Sequence, residues 1–329
     1  MSKINIRKFL KLIIPSPLFK TYKKLLTRPL KEEIESLDIH SMGIDNDGDP
    51  WVKIKNGLVF FGFLPKDSEK VIFEILSNEL NIDYKYIAVL VEIIERYIAP
   101  RSLPGELINS ARSSNLLRDP LNDFDFKKPF KKEIADKFRP KKNDVIMDIG
   151  AYHGFGTLKI AEYLKSTGSI IAVEVDPINY KLLCKNIYKN GFDIIKPFNY
   201  AISDHSCENG FFYFDNEPSG NSLRSDVLKN LDISNLKKLP AKLISGDSLL
   251  SKLEINKLDH LNITINGGEP EALEGLRSTI ENSNDIRVTM PGWYFRDGER
   301  LDKTLKRSLK KLKFSNIFLG KKGRVLAWK

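Results

Sequence analysis

The feature that most restricts this chain is a short apolar run followed by clustered glycines. Val145-Ile146-Met147-Asp148-Ile149 leads into Gly150, Gly154 and Gly156, and a helical pattern opens at Thr157. The run from Asp144 to Ile149 is apolar on both faces and too short for a helix, which predicts a buried parallel strand. The glycines predict a tight strand-to-helix turn, where the backbone comes close to a ligand with amide N–H groups free to donate. In an open α/β sheet, such a turn at the carboxyl end of a strand is where ligands bind.

The spacing is G-x-x-x-G-x-G after Asp148, not the G-x-G-x-x-G of dinucleotide-binding turns. A second strand follows about twenty residues on, as the fingerprint logic expects. Ser169-Ile170-Ile171-Ala172-Val173 ends at Glu174, and Asp176-Pro177 opens the next helix. A carboxylate at that tip can accept hydrogen bonds from both hydroxyls of a ribose.

Strand and helix patterns alternate regularly from about residue 131, which argues for a parallel sheet covered by helices. Thr157 is the expected N-cap of the first helix. The second helix is expected to stop at Asn190-Gly191, a left-handed C-cap signal. Further strands are read at Ile194–Ala201, Leu258–Ile265 and Asp285–Met290, with a helix from Glu269 to Ile280. The chain closes with a helix over Leu301–Leu312, a strand over Phe314–Leu319, a Gly320–Gly323 turn and a strand over Arg324–Trp328. Residues 205–240 read as loop.

Residues 31–130 read as an accessory region. Trp51–Ile54 and Leu58–Gly62 flank an Asn56-Gly57 turn, a hairpin signal. Helical spacing follows from Ser68 to Ile98, as two helices separated near residues 81–86. A polar, proline-containing loop or lid is expected over 99–130. Asp45-Asn46-Asp47-Gly48-Asp49 resembles the start of a calcium loop, but Asn56 stands where the bidentate Glu belongs, so the expectation is an acidic turn and no metal site.

Net charge is +10, and nine Lys/Arg with no acid fall within residues 1–31, leaving the rest of the chain close to neutral. That argues against a broad nucleic-acid footprint over the main domain. Ile6, Phe9, Leu10, Ile13 and Ile14 alternate with Arg7, Lys8 and Lys11 at helical spacing, which suits an anionic membrane surface. The run is too broken to span a bilayer and too charged for a secretory signal. Two cysteines without a C-x-x-C pattern fit a reducing compartment. The expectation is a cytoplasmic protein, with its 1–30 arm at the inner face of the membrane.

Taken in order, the segments resemble the FkbM family of S-adenosylmethionine (SAM)-dependent methyltransferases. Asp148 to Thr157 resembles the family's D-[VI]-G-A-N-x-G-x-x-[TS], and Ala172 to Pro177 its A-F-E-P-x-P. Asn199-Tyr200-Ala201-Ile202-Ser203-Asp204 resembles N-x-A-[LI]-S-D, and Gly246-Asp247-Ser248-Leu249 resembles x-L-D-x-L. Asn262 to Glu269 resembles K-I-D-V-E-G-A-E, with Asn262, Thr264 and Asn266 replacing the Lys, Asp and Glu, while Tyr152 replaces the Asn of the first motif. The resemblance covers about residues 135–329. It implies an α/β, seven-stranded, doubly wound Rossmann-like sheet with the last strand antiparallel; the α+β accessory region before it is read from its own hairpin and helical patterns and lies outside the resemblance. It also implies SAM as cofactor, held by Asp148, Gly150, Tyr152, Gly154, Glu174, Asp176, Ala201 and Asp204. The acceptor it implies is a small molecule or glycan, through a sugar hydroxyl.

Methyl transfer to a hydroxyl needs an oriented acceptor and a route for its proton. His153, Asn266 and Glu269 are the candidates near the tips of the first and fourth strands, and the aromatics of Pro291-Gly292-Trp293-Tyr294-Phe295-Arg296 suit a sugar face. Two other readings stand beside this one. The first is a SAM-binding protein with little or no turnover. The second is an NAD-dependent oxidoreductase, which the glycine spacing and closing strands disfavour.

Overall fold

The computed structural model describes residues 33–64, 74, 77–78, 80–98, 132–165, 167–214, 221–226, 237–320 and 323–329. The basic arm, the 99–130 loop and most of the first helix expected after Ser68 lie outside the described residues. Those described divide into two compact units, one ending before residue 99 and the other running from Lys132 onward.

The smaller unit is a three-stranded antiparallel sheet, β1 (Ile39–Ile44), β2 (Pro50–Ile54) and β3 (Val59–Phe61), in sequential order. The expected hairpin is there, with Lys53 opposite Val59, and β1 is a strand the sequence reading omitted. The turn between β1 and β2 is acidic, as expected. Asp45 Oδ1 accepts the N–H groups of Asp47 and Asp49, each at 2.9 Å. A helix α1 (Tyr84–Glu92) is capped by Asp83 and runs into a π-helical stretch at Ile93–Ile98. Ile87, Val89 and Leu90 of α1 are buried.

The larger unit begins with α2 (Lys132–Phe138), then β4 (Val145–Ile149), α3 (Phe155–Leu164), β5 (Ser169–Val173), α4 (Pro177–Asn190) and β6 (Ile195–Phe198). A smaller sheet follows, of β7 (Ala201–Ser203), β8 (Cys207–Phe214) and β9 (Lys237–Ser245), and then α5 (Gly246–Lys252). The chain returns to the main sheet with β10 (His260–Ile263), α6 (Glu269–Glu274), α7 (Arg277–Asn282) and β11 (Arg287–Pro291). It ends with the short pair β12 (Phe295–Arg296) and β13 (Glu299–Arg300), then α8 (Leu301–Lys311), β14 (Asn316–Leu319) and β15 (Arg324–Trp328).

The seven strands of the main sheet lie in the order β14-β15-β11-β10-β4-β5-β6. β6, β5, β4, β10 and β11 are parallel neighbours. β15, the last strand, runs antiparallel to both β11 and β14. The chain therefore winds outward from β4 in one direction, then restarts at β10 and winds in the other. The switch point falls between β4 and β10, where open sheets part their loops for a ligand. Met147, Ile149, Ile171, Val173, Leu261, Ile263, Val288, Met290, Val325 and Ala327 make the sheet's share of one continuous core. Each such side chain contributes about 1.5–3 kcal/mol when fully buried.

Four local expectations are corrected. α3 begins at Phe155 with Gly154 as its N-cap, because Gly154 adopts φ +82° and Thr157 turns inward instead. The third strand stops at Phe198, and Ala201–Ser203 pairs in the smaller sheet with β9. The region read as loop over 205–240 contains β8 and the start of β9, the two long strands of that sheet. The helix expected from Glu269 to Ile280 breaks at Gly275, where an added Cβ would meet Ser203 O at 1.9 Å. No helix of the described residues is long and apolar enough to cross a membrane.

Candidate functional site

The switch point is built by close backbone approach. Thr264 N–H donates to Ile149 O at 2.8 Å, and a Cβ on Gly150 would lie 2.0 Å from Thr264 O. Only a residue without Cβ, at φ +82°, lets the loops after β4 and β10 meet. Gly154 serves α4, since its Cβ would lie 2.5 Å from Leu183 Cδ1. Both loop glycines are thus dictated by packing.

The loop amides are not free, contrary to expectation. Gly150 and Ala151 N–H groups share Val173 O at 2.8 and 3.0 Å, Tyr152 N–H donates to Glu174 Oε2 at 2.9 Å, and Gly154 N–H donates to Ala151 O at 2.9 Å. The loop leads into α3, whose N-cap Gly154 has no side chain to offer its first turn.

Glu174 is nearly buried at the tip of β5. Besides Tyr152 N–H it accepts Asp176 N–H at 3.0 Å and Asn179 Nδ2 at 3.4 Å through Oε1. Burial pushes its carboxyl up to about 7, against the lowering pull of those donors. Asp176 caps α4 through Oδ1, accepting Ile178 N–H at 2.8 Å and Asn179 N–H at 3.3 Å. Its Oδ2 accepts Asn221 Nδ2 at 2.8 Å.

Asp148 is committed to the fold. Thr157 Oγ1 donates to its Oδ2 and Asn262 Nδ2, opposite on β10, to its Oδ1, both at 2.6 Å. Burial raises its pKa despite both bonds. Tyr152, at φ +55°, stacks on His153 with ring centroids 3.6 Å apart. Ala201 and Asp204 are not brought to this mouth with the others. Ala201 starts a strand of the smaller sheet, and Asp204 is exposed there, paired with His205 Nδ1 at 2.6 Å.

The catalytic candidates separate. His153 is fully buried between Tyr152 and Phe155, and its carbonyl accepts Asn186 Nδ2 at 2.8 Å. Glu269 is also fully buried and turns back on its own loop, accepting Ile265 N–H at 3.2 Å and Gly267 N–H at 2.8 Å. Burial pushes its carboxyl up to about 7. Both side chains are fully buried. Asn266 alone of the three faces other site elements, at φ +54°. Its Nδ2 donates to Asn221 O at 2.8 Å, its Oδ1 accepts Tyr294 Oη at 2.5 Å, and its carbonyl accepts Ser222 Oγ at 2.8 Å.

Sequence reading missed the segment 221–226, which lies between the tips of β5 and β10. Asn221 and Ser222 are buried, and Tyr213 exchanges both backbone hydrogen bonds with Ser222. Arg224 forks onto Asp226 with two 2.8 Å bonds and approaches Glu271 at 3.5 Å, and Arg296 reaches the same Glu271 at 2.7 Å. A polar stretch in a region of no regular period carries no signal that it will fold back over a sheet.

For a metal, the described residues bring together Asp45, Asp47 and Asp49, with carboxylate oxygens within 4.8 Å of one another in the smaller unit. Asp45 Oδ1 is already engaged by the turn.

The strand order and the loops at the switch point define a Rossmann-like α/β sheet with a reversed last strand. No family model and no curated protein matches the chain. Among solved structures it is similar to FkbM from Methylobacillus flagellatus KT, at 11% identity over 80% of this chain and 72% of that one, with a TM-score of 0.39. It is also similar to a SAM dependent methyltransferase from Aquifex aeolicus, at 12% identity over 60% of this chain and 87% of that one, with a TM-score of 0.36. A precorrin-6y C5,15-methyltransferase from Geobacter metallireducens GS-15 gives 13% identity over 59% and 84%, with a TM-score of 0.35.

Proposed function

We propose that this chain is a SAM-dependent O-methyltransferase whose acceptor is a hydroxyl, on a sugar of a glycan or glycolipid. The observation that carries the proposal is Glu174, a buried carboxylate at the tip of β5, tied to the glycine loop that leads into α3. The residues fit the cofactor. Glu174 offers acceptor lone pairs to ribose hydroxyls, and the first-turn amides of α3 suit the carboxylate of the amino-acid end. When bound, SAM supplies an electrophilic methyl group on a sulfonium.

The chain's own residues mainly bind and orient. Tyr294 and Trp293, with ring centroids 6.0 Å apart, give the β11 rim an aromatic face for a sugar. Asn266 fixes Tyr294 through its Oδ1. His153 and Glu269 are held in the interior, so we assign the acceptor's proton to water at the rim. The activity should then lean on positioning, the larger share of catalysis in displacements that need little covalent help.

Isothermal titration tests the reading directly: SAM should bind, and a folded protein that takes up neither SAM nor its demethylated product sinks it. Turnover against a panel of glycans tests the acceptor. A second reading, cofactor binding without turnover, is favoured by Asn266 standing where the resembled motif has Glu, with both ends of its amide already engaged. Binding without methyl transfer to any acceptor would select it. We further propose that residues 1–30 hold the enzyme at anionic membrane. A chain lacking them should lose sedimentation with phosphatidylserine vesicles, and undiminished sedimentation rejects this part.

A further inference from the structure

The side chain of Asn221 is more than nine-tenths buried, and its Oδ1 has no hydrogen-bond partner. Its orientation is not arbitrary. A carboxylate oxygen accepts only, so the contact with Asp176 Oδ2 must be made by the amide nitrogen. That places the carbonyl oxygen away from Asp176. Flipping the amide would set two acceptors against each other at 2.8 Å. The backbone is pinned as well, because Asn221 O accepts Asn266 Nδ2, and Asn266 is held in turn by Tyr294 Oη and Ser222 Oγ. A donor chain therefore runs from Tyr294 at the β11 rim, through Asn266 and Asn221, to Asp176 beside Glu174. Buried acceptors are seldom left unpaired. This one is held in that state between the segment after β5 and the segment after β10.

We infer that Asn221 is a ligand-binding residue, its amide oxygen accepting a hydrogen bond from a hydroxyl or ammonium donor of the bound cofactor. The inference rests on the methyltransferase reading and adds a wall to that site. Asp176, Asn266 and Tyr294 act as positioning residues, since each fixes Asn221 or the next link without needing to touch the ligand. Two donors of the cofactor share the required chemistry, the ribose hydroxyls and the α-ammonium.

Titration of the full chain with S-adenosylhomocysteine and with 5′-methylthioadenosine tests this. The second probe keeps the ribose and lacks the ammonium. Asn221→Ala should bind S-adenosylhomocysteine at least tenfold more weakly than the unaltered protein. Asn221→Ser, which keeps a donor for Asp176 but withdraws the amide oxygen, should weaken it similarly and covers the case of a poorly folding alanine variant. Loss with both probes assigns the donor to the ribose, and loss with S-adenosylhomocysteine alone assigns it to the ammonium. Tyr294→Phe, two links away, should weaken binding several-fold, which a merely structural Asn221 would not transmit. Unchanged affinity in Asn221→Ser, with the unaltered protein binding normally, overturns the inference and leaves the methyltransferase reading standing. Failure of the unaltered protein to bind either probe overturns both.

Discussion

Glu174 Oε2 accepts the backbone N–H of Tyr152 at 2.9 Å, so the tip of β5 and the loop after β4 are joined by a side chain whose charge state varies near neutral pH. On the proposed reading, charge in this carboxylate is what a ribose hydroxyl would recognise. It also sets how the empty protein responds to pH.

Cofactor affinity should rise with pH. Below about 7 the Glu174 carboxyl is largely protonated and accepts hydroxyl donors poorly. Titrations at pH 6 and pH 8 should differ by about tenfold in Kd, following the ionised fraction of one group. Glu174→Gln should bind weakly and flatten the dependence. An unaltered slope in that variant would assign the titration elsewhere.

Stability of the ligand-free protein should move the other way. Glu174 and Glu269 have folded values raised to about 7 from an ordinary 4.5. Between those limits the folded state keeps protons that the unfolded chain has released. The contribution of these two groups is therefore complete below about 4.5, declines as pH rises toward 7 and levels off above it. Each group costs up to roughly 3 kcal/mol at the high end. Urea midpoints at pH 5 and pH 8 check this, and Glu269→Gln should remove part of the difference.

Gly150→Ala should be severely destabilising, by about 3 kcal/mol or more, because its Cβ would meet a backbone oxygen at 2.0 Å in a left-handed conformation. Gly191→Ala is the control. Its φ is +65° but nothing lies within reach of a new Cβ, so about 1 kcal/mol is expected from the backbone alone. Equal losses in chemical denaturation would contradict the close approach at the switch point.

Arg287 and Asp144 form a buried ion pair at 2.6 Å, and Arg287 also donates to the carbonyls of Asp259 and Arg139, each at 3.0 Å. Arg287→Met should cost about 3–5 kcal/mol, since it strands a buried carboxylate. Adding Asp144→Asn should recover part of that loss. A double variant less stable than the single one would show that the carboxylate is needed for more than the pair.

Much of this architecture was legible before any coordinates. Apolar runs of five residues, ended by an acid or a glycine, mark β4 and β5 because a strand buried on both faces has no polar alternation to confuse it. Gly191 closes α4 as read, since its left-handed backbone is a local property. Thr157 was misread because a threonine before a helical pattern resembles a cap, whereas a buried carboxylate on the neighbouring strand claims its hydroxyl.

The chain by itself determined where strands, turns and the switch-point glycines fall, because those follow from local sterics and from the period of apolar side chains. Tertiary structure alone decided which polar groups meet. Asn221, Asn266 and Tyr294 are separated by 45 and 28 residues, and no short-range pattern links them. It likewise buried His153 and Glu269, for burial and hydrogen-bond partners are properties of the packed mouth and not of the residues that line it.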